Sequence, residues 1–344
     1  MKGKVLVTGG TGYIGSHTVV ELIEEGFEVL IVDNLSNSKT EVLDGIQQIT
    51  GVKPAFEKVD VSDKKEFFEV LSKYDGINSI IHFAAYKAVG ESVEKPIKYY
   101  RNNLDGMMNI LEAMDQFSIP NLVFSSSCTV YGQPDVLPVT EQAPIKKANS
   151  PYGNTKQICE EFINEFLHVN PKLKAIALRY FNPIGAHPTA LIGELPLGVP
   201  DNLIPFVTQT AIGKRKQLSV FGEDYNTSDG TAVRDYINVV DLAKAHVISI
   251  KRLIEDKNKF SSEVFNLGTG TGNSVLEIVK AFEKSTGEKL NYKIVERREG
   301  DIEQVWADTR FANEELGWKA ELGLEETLAS AWKWEKYYNS KYND

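Results

Sequence analysis

Val5-Leu-Val-Thr-Gly9-Gly-Thr-Gly12-Tyr-Ile-Gly15 carries a short β-branched run straight into a helical pattern that opens at Tyr13 and Ile14. It satisfies both Gly-x-x-Gly-x-x-Gly and Gly-x-Gly-x-x-Gly. Glycines at 9, 12 and 15 allow a tight turn and let a pyrophosphate approach the backbone, its charge facing the positive end of a helix. A strand before and a helix after are the context that gives this spacing meaning.

Working outward, short apolar runs alternate with longer amphipathic ones. Candidate strands are 5–7, 28–32, 54–59, 79–83, 122–125 and 175–178, with helical patterns at 13–25, 63–73, 96–116 and 152–169. This alternation predicts an α/β fold, a Rossmann-type doubly wound parallel sheet with helices on both faces. Ligands in such sheets bind beyond the carboxyl ends of the strands. From Asn182 to Pro205 the chain is rich in Pro and Gly and reads as a long irregular segment, usually functional in a compact domain. Less regular runs follow, clearest at helix 239–254, a strand near 263–267 and a helix near 323–338. The expected division is a dinucleotide-binding domain over 1–181 and a smaller mixed α/β substrate lobe over 182–344, with a return to the first domain near 235–270.

Three strand ends face the expected ligand. Asp33 closes the second strand, where a carboxylate binds both ribose hydroxyls of adenosine and repels a 2′-phosphate. Asn34 and Leu35 after it supply no arginine, so NAD is favoured over NADP. Asp60 and Val61 follow the third strand, within reach of an adenine. Phe83, Ala84 and Ala85 end the fourth, where small residues let a cofactor pass, although tight helix–sheet packing accounts for the two alanines equally well.

The next strand ends in Ser125-Ser126-Ser127, and Ser150-Pro-Tyr152-Gly-Asn-Thr-Lys156 opens a helix, with Ser150 a good N-cap and Pro151 at the favoured first position. Tyr152 and Lys156, four apart, share a helix face. A free phenol has a pKa of about 10, and a neighbouring ammonium lowers it. Tyr152 is therefore the expected base, tuned by Lys156, which also reaches a nicotinamide ribose, with Ser127 relaying a sugar proton.

Bulk properties narrow the class. The 344 residues carry a net charge of −10 with 42% hydrophobic residues, which suits a sizeable core and lacks the basic footprint of nucleic-acid binding. Cys128 and Cys159 make no disulfide framework, and the histidines at 17, 82, 168, 187 and 246 show no metal-ligand spacing, so no metal is expected. Neither a signal-peptide core nor a membrane-length apolar run is seen, and a soluble cytoplasmic protein is expected.

The glycine turn, Ser125-Ser-Ser-Cys-Thr-Val-Tyr-Gly132 and Ser150-Pro-Tyr-Gly-Asn-Thr-Lys156 together resemble the extended short-chain dehydrogenase/reductase superfamily. Within it, His82-Phe-Ala-Ala-Tyr-Lys-Ala-Val-Gly-Glu-Ser92, Arg179-Tyr-Phe-Asn-Pro-Ile-Gly-Ala-His-Pro188 and Gly230-Thr-Ala-Val-Arg-Asp-Tyr-Ile237 are similar to UDP-glucose 4-epimerases over essentially the whole chain. The resemblance implies cofactor contacts at Tyr13, Ile14, Asp33, Asn34, Lys87, Asn102, Tyr152, Lys156 and Phe181. It implies a UDP-sugar site at Asn182, Asn202, Leu203, Phe221, Arg234, Arg298 and Asp301, with Lys87, Ser127 and Tyr152 also near the sugar. Arginines suit a diphosphate because a guanidinium pairs with phosphate oxygens.

The reaction implied is transient oxidation at C4 of the sugar, with the hydride returned to the opposite face. Related dehydratases carry an Asp-Glu pair where this chain has Cys128 and Thr129, which cannot serve as that pair. A main activity on UDP-N-acetylglucosamine, a decarboxylase and a non-catalytic NAD-sensing protein remain as other readings. Val305 stands at a position that in this family borders the sugar pocket, and its small size implies acceptance of UDP-GlcNAc and UDP-GalNAc. The alternative is that it is an ordinary strand residue. The resemblance also implies a homodimer formed through the helices at 96–116 and 152–169.

Overall fold

The structure, a computed structural model, describes residues 2–298 and 301–342. Its first half contains β1 (Lys4–Thr8), α1 (Tyr13–Glu24), β2 (Glu28–Val32), α2 (Glu41–Thr50), β3 (Ala55–Glu57), α3 (Lys64–Leu71), β4 (Ile77–His82), α4 (Val89–Glu94), α5 (Pro96–Gln116), β5 (Asn121–Ser125), α6 (Pro151–Val169) and β6 (Lys174–Tyr180). The second half adds β7 (Asn182–Ile184), α7 (Leu203–Ala211), β8 (Leu218–Phe221), β9 (Val233–Asn238), α8 (Val239–Ile254), β10 (Ser262–Leu267), β11 (Gly272–Ser274), α9 (Val275–Thr286), β12 (Tyr292–Val295), β13 (Gln304–Val305) and α10 (Leu324–Tyr342).

Seven strands form one parallel sheet in the order β10-β6-β5-β4-β1-β2-β3. The order reverses between β1 and β4, and the crevice beyond their carboxyl ends is where such a sheet takes its ligand. Strand side chains alternate between two cores, as a period of two requires. Val5, Val7, Ile31 and Ile81 pack with Val19 of α1, Ile46 of α2 and Leu242 of α8 on one face. Leu6, Leu30 and Ile80 pack with Phe67 of α3, Ile110 of α5 and Ile163 of α6 on the other. Because both faces are covered, the inner residues of these strands are mostly apolar on both sides.

β10 completes the sheet at its β6 edge, so the chain returns to the first layer after β9 and α8. A separate core joins α7, β8, α9 and α10 through Val207, Val220, Phe282 and Leu328. β9 is flanked by β7, β11 and β13, and links the two cores.

Four helices, α2, α4, α7 and α9, go beyond the sequence expectation. Gly45 weakens the helical pattern of α2, yet a Cβ there would come 2.6 Å from the Leu191 carbonyl, so close packing excludes any larger residue. Pro205 disguises α7, although it lies in the first turn, where its missing N–H costs nothing. α9 opens on a full capping box, Ser274 with Glu277, a signal present in the sequence. The expected strand at 54–59 shortens to Ala55–Glu57 at the sheet edge. Between β7 and α7 the chain has no strand or helix, apart from a single bridge between Ala186 and Gly193.

Candidate active site

The glycine turn has the geometry of a phosphate cradle. Gly9 adopts φ +72°, and a Cβ on it would lie 2.7 Å from the Ala84 nitrogen; one on Gly15 would overlap the Gly9 carbonyl. Gly12 caps α1 with no side-chain hydrogen bond, leaving the first-turn amides for an anion. Asp33 is buried at the end of β2 and accepts from Thr11 N at 3.2 Å and Leu35 N at 2.8 Å. Asn34 donates to Asp60 at 2.9 Å, joining the ends of β2 and β3. Burial pushes the Asp60 carboxyl up, but bonds from Ser62 and Asn34 outweigh it and hold the group low. An open cradle, helix amides and a ribose carboxylate fit a bound NAD.

Val61 departs from this pattern. Its side chain is buried in the second core and its carbonyl accepts from Asn109 at 2.8 Å, so a cofactor contact there falls to the backbone. Phe83 packs its ring on His246 with centroids 4.7 Å apart, and Ala84 packs against the second core.

α6 begins as its sequence requires, with Ser150 accepting from Gly153 N at 3.1 Å and Pro151 in the first turn. Tyr152 and Lys156 are both buried, as is Ser127, which caps a short 3-10 turn at Cys128–Tyr131. Lys156 Nζ donates to the Ser125 carbonyl at 2.6 Å and lies 5.9 Å from the centre of the Tyr152 ring. Burial lowers the Lys156 ammonium from 10.5 to about 8, against the pull of Cys159 and Glu160.

The phenol behaves differently from the sequence expectation. Burial, then Tyr180, push Tyr152 upward, and only the hydrogen bond with Ser127 acts in the other direction. The hydrogen bond Lys156 makes goes to the Ser125 carbonyl and not to the phenol oxygen. The protein alone therefore holds Tyr152 as a neutral phenol: the Lys156 charge does not offset its burial, and lowering it takes further positive charge at the site.

The remaining residues spread around this centre. Phe181 and Val305 are buried together with Val130 and Tyr131, with Cys128 packed against them. Val305 pairs in register with Arg234, whose guanidinium forms an ion pair with Asp301 and donates to the Val233 carbonyl at 2.8 Å. Asn182 starts β7, Leu203 starts α7, and Phe221 ends β8 half exposed. Arg298 is exposed, and its Nη2 would be 3.7 Å from a Cβ on Gly90. Lys87 lies on the exposed loop after β4, 3.6 Å from Glu194, which also accepts from Asn202 at 2.6 Å. Tyr13 donates to the Gly185 carbonyl at 2.6 Å, tying the glycine turn to the irregular segment. A cavity of about 260 Å³ between Leu195–Gly198, Trp334 and Tyr338 lies apart from Tyr152.

Two residues escaped the sequence reading. Asn102 donates to the side chain of its neighbour Asn103 at 2.9 Å. Buried Asn103 bonds Tyr86 N at 2.9 Å and Thr155 Oγ1 at 3.0 Å, fastening the loop after β4 to α6. Its place in a doublet with Asn102 was the available signal. Glu194, which gathers Lys87 and Asn202, had none beyond its place in the irregular segment.

A glycine cradle at the β1/β4 reversal and a Ser/Tyr/Lys centre just after β5 and on α6 define an extended short-chain dehydrogenase/reductase. A family model described as GDP-mannose 4,6 dehydratase matches residues 6–331. The chain belongs to the UDP-glucose 4-epimerase family. It is 50% identical over 331 residues to the UDP-glucose 4-epimerase of Bacillus subtilis (strain 168), covering 96% of each chain. Identity with the UDP-glucose 4-epimerase of Homo sapiens is 49% over 342 residues, covering 98% of this chain and 97% of that one. The crystal structure of the Stenotrophomonas maltophila UDP-glucose-4-epimerase with bound NAD and formylated UDP-arabinopyranose matches with a TM-score of 0.94 at 45% identity, covering 98% and 99% of the two chains. The Bifidobacterium longum enzyme in complex with NAD+ and UDP matches with a TM-score of 0.93 at 46% identity, covering 97% and 98%.

Proposed function

We propose that the protein interconverts UDP-glucose and UDP-galactose by removing and returning the hydrogen at C4 of the sugar. The observation that carries this is the arrangement of Ser127, Tyr152 and Lys156 in one buried centre beside a cradle fitted to NAD. Bound NAD supplies the acceptor, and then the donor, of the C4 hydride. Tyr152 takes the C4 hydroxyl proton, directly or through Ser127, with which it is hydrogen-bonded. Lys156 lends positive charge to the forming phenolate. Burial keeps water from the reacting atoms.

The pocket must hold the nucleotide and leave the sugar able to turn over. Arg234 and Arg298 offer guanidinium groups to the diphosphate, and Asp301 accepts from ribose hydroxyls. Arg234 and Asp301 are paired with each other in the protein alone, so a UDP-sugar exchanges this ion pair for its own contacts. Cys128 and Thr129 supply no acid–base pair for dehydration, so the hydride goes out and back without loss of water.

Val305 bears on substrate breadth. It packs beside Phe181 and Cys128 next to the centre, and the small size of its side chain supports extending the proposed range to UDP-GlcNAc and UDP-GalNAc. A homodimer through α5 and α6 is proposed on the apolar side chains they leave exposed, Ile97 and Met108 on α5 and Val169 on α6. Among the described residues, no helix is long and apolar enough to cross a membrane.

The test is a coupled assay on the four UDP-sugars with spectroscopic measurement of NAD in the purified protein. Isomerised product with NAD present is the expected result. NAD retained without product would favour a non-catalytic sensor, and no NAD dependence at all would overturn the reading.

A further inference from the structure

Directly behind the catalytic centre lies a buried polar cluster that the proposed reaction does not use. Arg179 of β6 grips Glu160 of α6 in a two-pronged ion pair, Nε to Oε1 at 3.0 Å and Nη2 to Oε2 at 2.5 Å. Glu160 Oε1 also accepts from Ser126 Oγ at 2.5 Å. Arg179 Nη1 donates to the Tyr131 hydroxyl at 3.0 Å, which donates to Asn266 Oδ1 at 2.6 Å. Ser126 and Asn266 are wholly buried, and Glu160 and Arg179 are nearly so. A buried ion pair is a weak route to stability, because desolvation offsets its attraction.

Its placement explains it better. Tyr152, Lys156 and Glu160 follow one another at four-residue intervals, so α6 turns all three to one side. That side meets three consecutive serines: Tyr152 bonds Ser127, Lys156 bonds the Ser125 carbonyl, and Glu160 bonds Ser126. Along the serine run the Glu160 contact falls between the other two, and along α6 it lies one turn beyond Lys156. We propose that Glu160 is a positioning residue for the reaction. Clamped by Arg179, it holds Ser126 so that Ser125 and Ser127 meet Lys156 and Tyr152, and its charge helps keep Lys156 an ammonium.

The charges around Lys156 leave Glu160 this role. Burial lowers the Lys156 value, and Cys159 and then Glu160 raise it in opposition. His82 of β4 is held neutral, its value lowered by burial to about 3. α5 contributes neutral Asn103 and Tyr99; Glu91 of α4 is paired with Lys95 and Lys98, and Glu263 of β10 with Arg252. Arg179 offsets part of the Glu160 field from the β6 side.

The inference rests on the proposed epimerase reaction, which the wild-type protein tests in the same assay. Three variants of the NAD-loaded protein separate position from charge: Ser126→Ala, Glu160→Gln and the double variant Glu160→Gln/Arg179→Gln. Ser126→Ala should lower kcat several-fold with the alkaline limb of the kcat–pH profile in place. Glu160→Gln should lower kcat about tenfold with KM for UDP-glucose little changed, and move that limb down by about one pH unit. The double variant removes the uncompensated guanidinium, so its limb should lie between those of Glu160→Gln and wild type; it stands in if the single variant does not fold. An alkaline limb unmoved in every folded Glu160 variant, with only the melting temperature changed, would make the cluster merely structural. An unchanged kcat in Ser126→Ala would also overturn the positioning role.

Discussion

Replacing Lys156 with methionine should abolish turnover and yet make the fold more stable at neutral pH. Burial brings the ammonium from 10.5 in the unfolded chain to about 8 in the folded one. One pKa unit is about 1.4 kcal/mol, so holding Lys156 charged inside the protein costs roughly 3 kcal/mol near pH 7. Because the folded value is the lower, the unfolded chain binds more protons between about 8 and 10.5, and stability rises with pH across that window.

Methionine fills a similar unbranched volume with no charge. Against it stands the lost bond to the Ser125 carbonyl, 2.6 Å long, a loss of about 1–2 kcal/mol. Lys156→Met is therefore expected to be about 1–2 kcal/mol more stable near pH 7, with that advantage shrinking by about 2 kcal/mol near pH 9.5. Urea denaturation of both NAD-free proteins at the two pH values, followed by tryptophan fluorescence, measures the difference. All other titrating groups are common to both proteins, so the change in the gap isolates Lys156. A variant equally destabilised at both pH values would refute the reasoning.

Three further outcomes are expected. Tyr152→Phe should lower kcat by about 10²–10⁴-fold while the protein keeps its NAD, read by single-turnover assay and absorbance. Gly15→Ala forces a Cβ onto the Gly9 carbonyl, so NAD affinity should fall and stability drop by about 1–3 kcal/mol, checked by calorimetric titration and thermal melting. Val305→Tyr should remove activity on UDP-GlcNAc while sparing UDP-glucose, since the ring would project beside Phe181 and Cys128. Unchanged N-acetyl activity would take Val305 out of the specificity argument.

The glycine spacing, the alternation of β-branched and amphipathic runs, Asp33 after the second strand and the capped Ser150–Lys156 helix were all legible in the sequence. Each is local: a turn, a cap or a period is decided by residues a few positions apart. Helices α2 and α7 were obscured because their glycine and proline answer to distant or positional needs that no local pattern displays.

The chain's order alone therefore determined the doubly wound sheet and the cofactor class, and it singled out the tyrosine and lysine proposed to react. Only the tertiary structure decided how those groups behave. Burial, which is set by elements far apart in the chain, raises Tyr152 and lowers Lys156, reversing the help the helix spacing promises. Likewise Glu160 and Arg179 are brought together only by the packing of α6 on β6, and the Arg234–Asp301 pair only by the seating of β13 beside β9. Desolvation and charge pairing act through space, so they become readable only once the fold has placed the groups side by side.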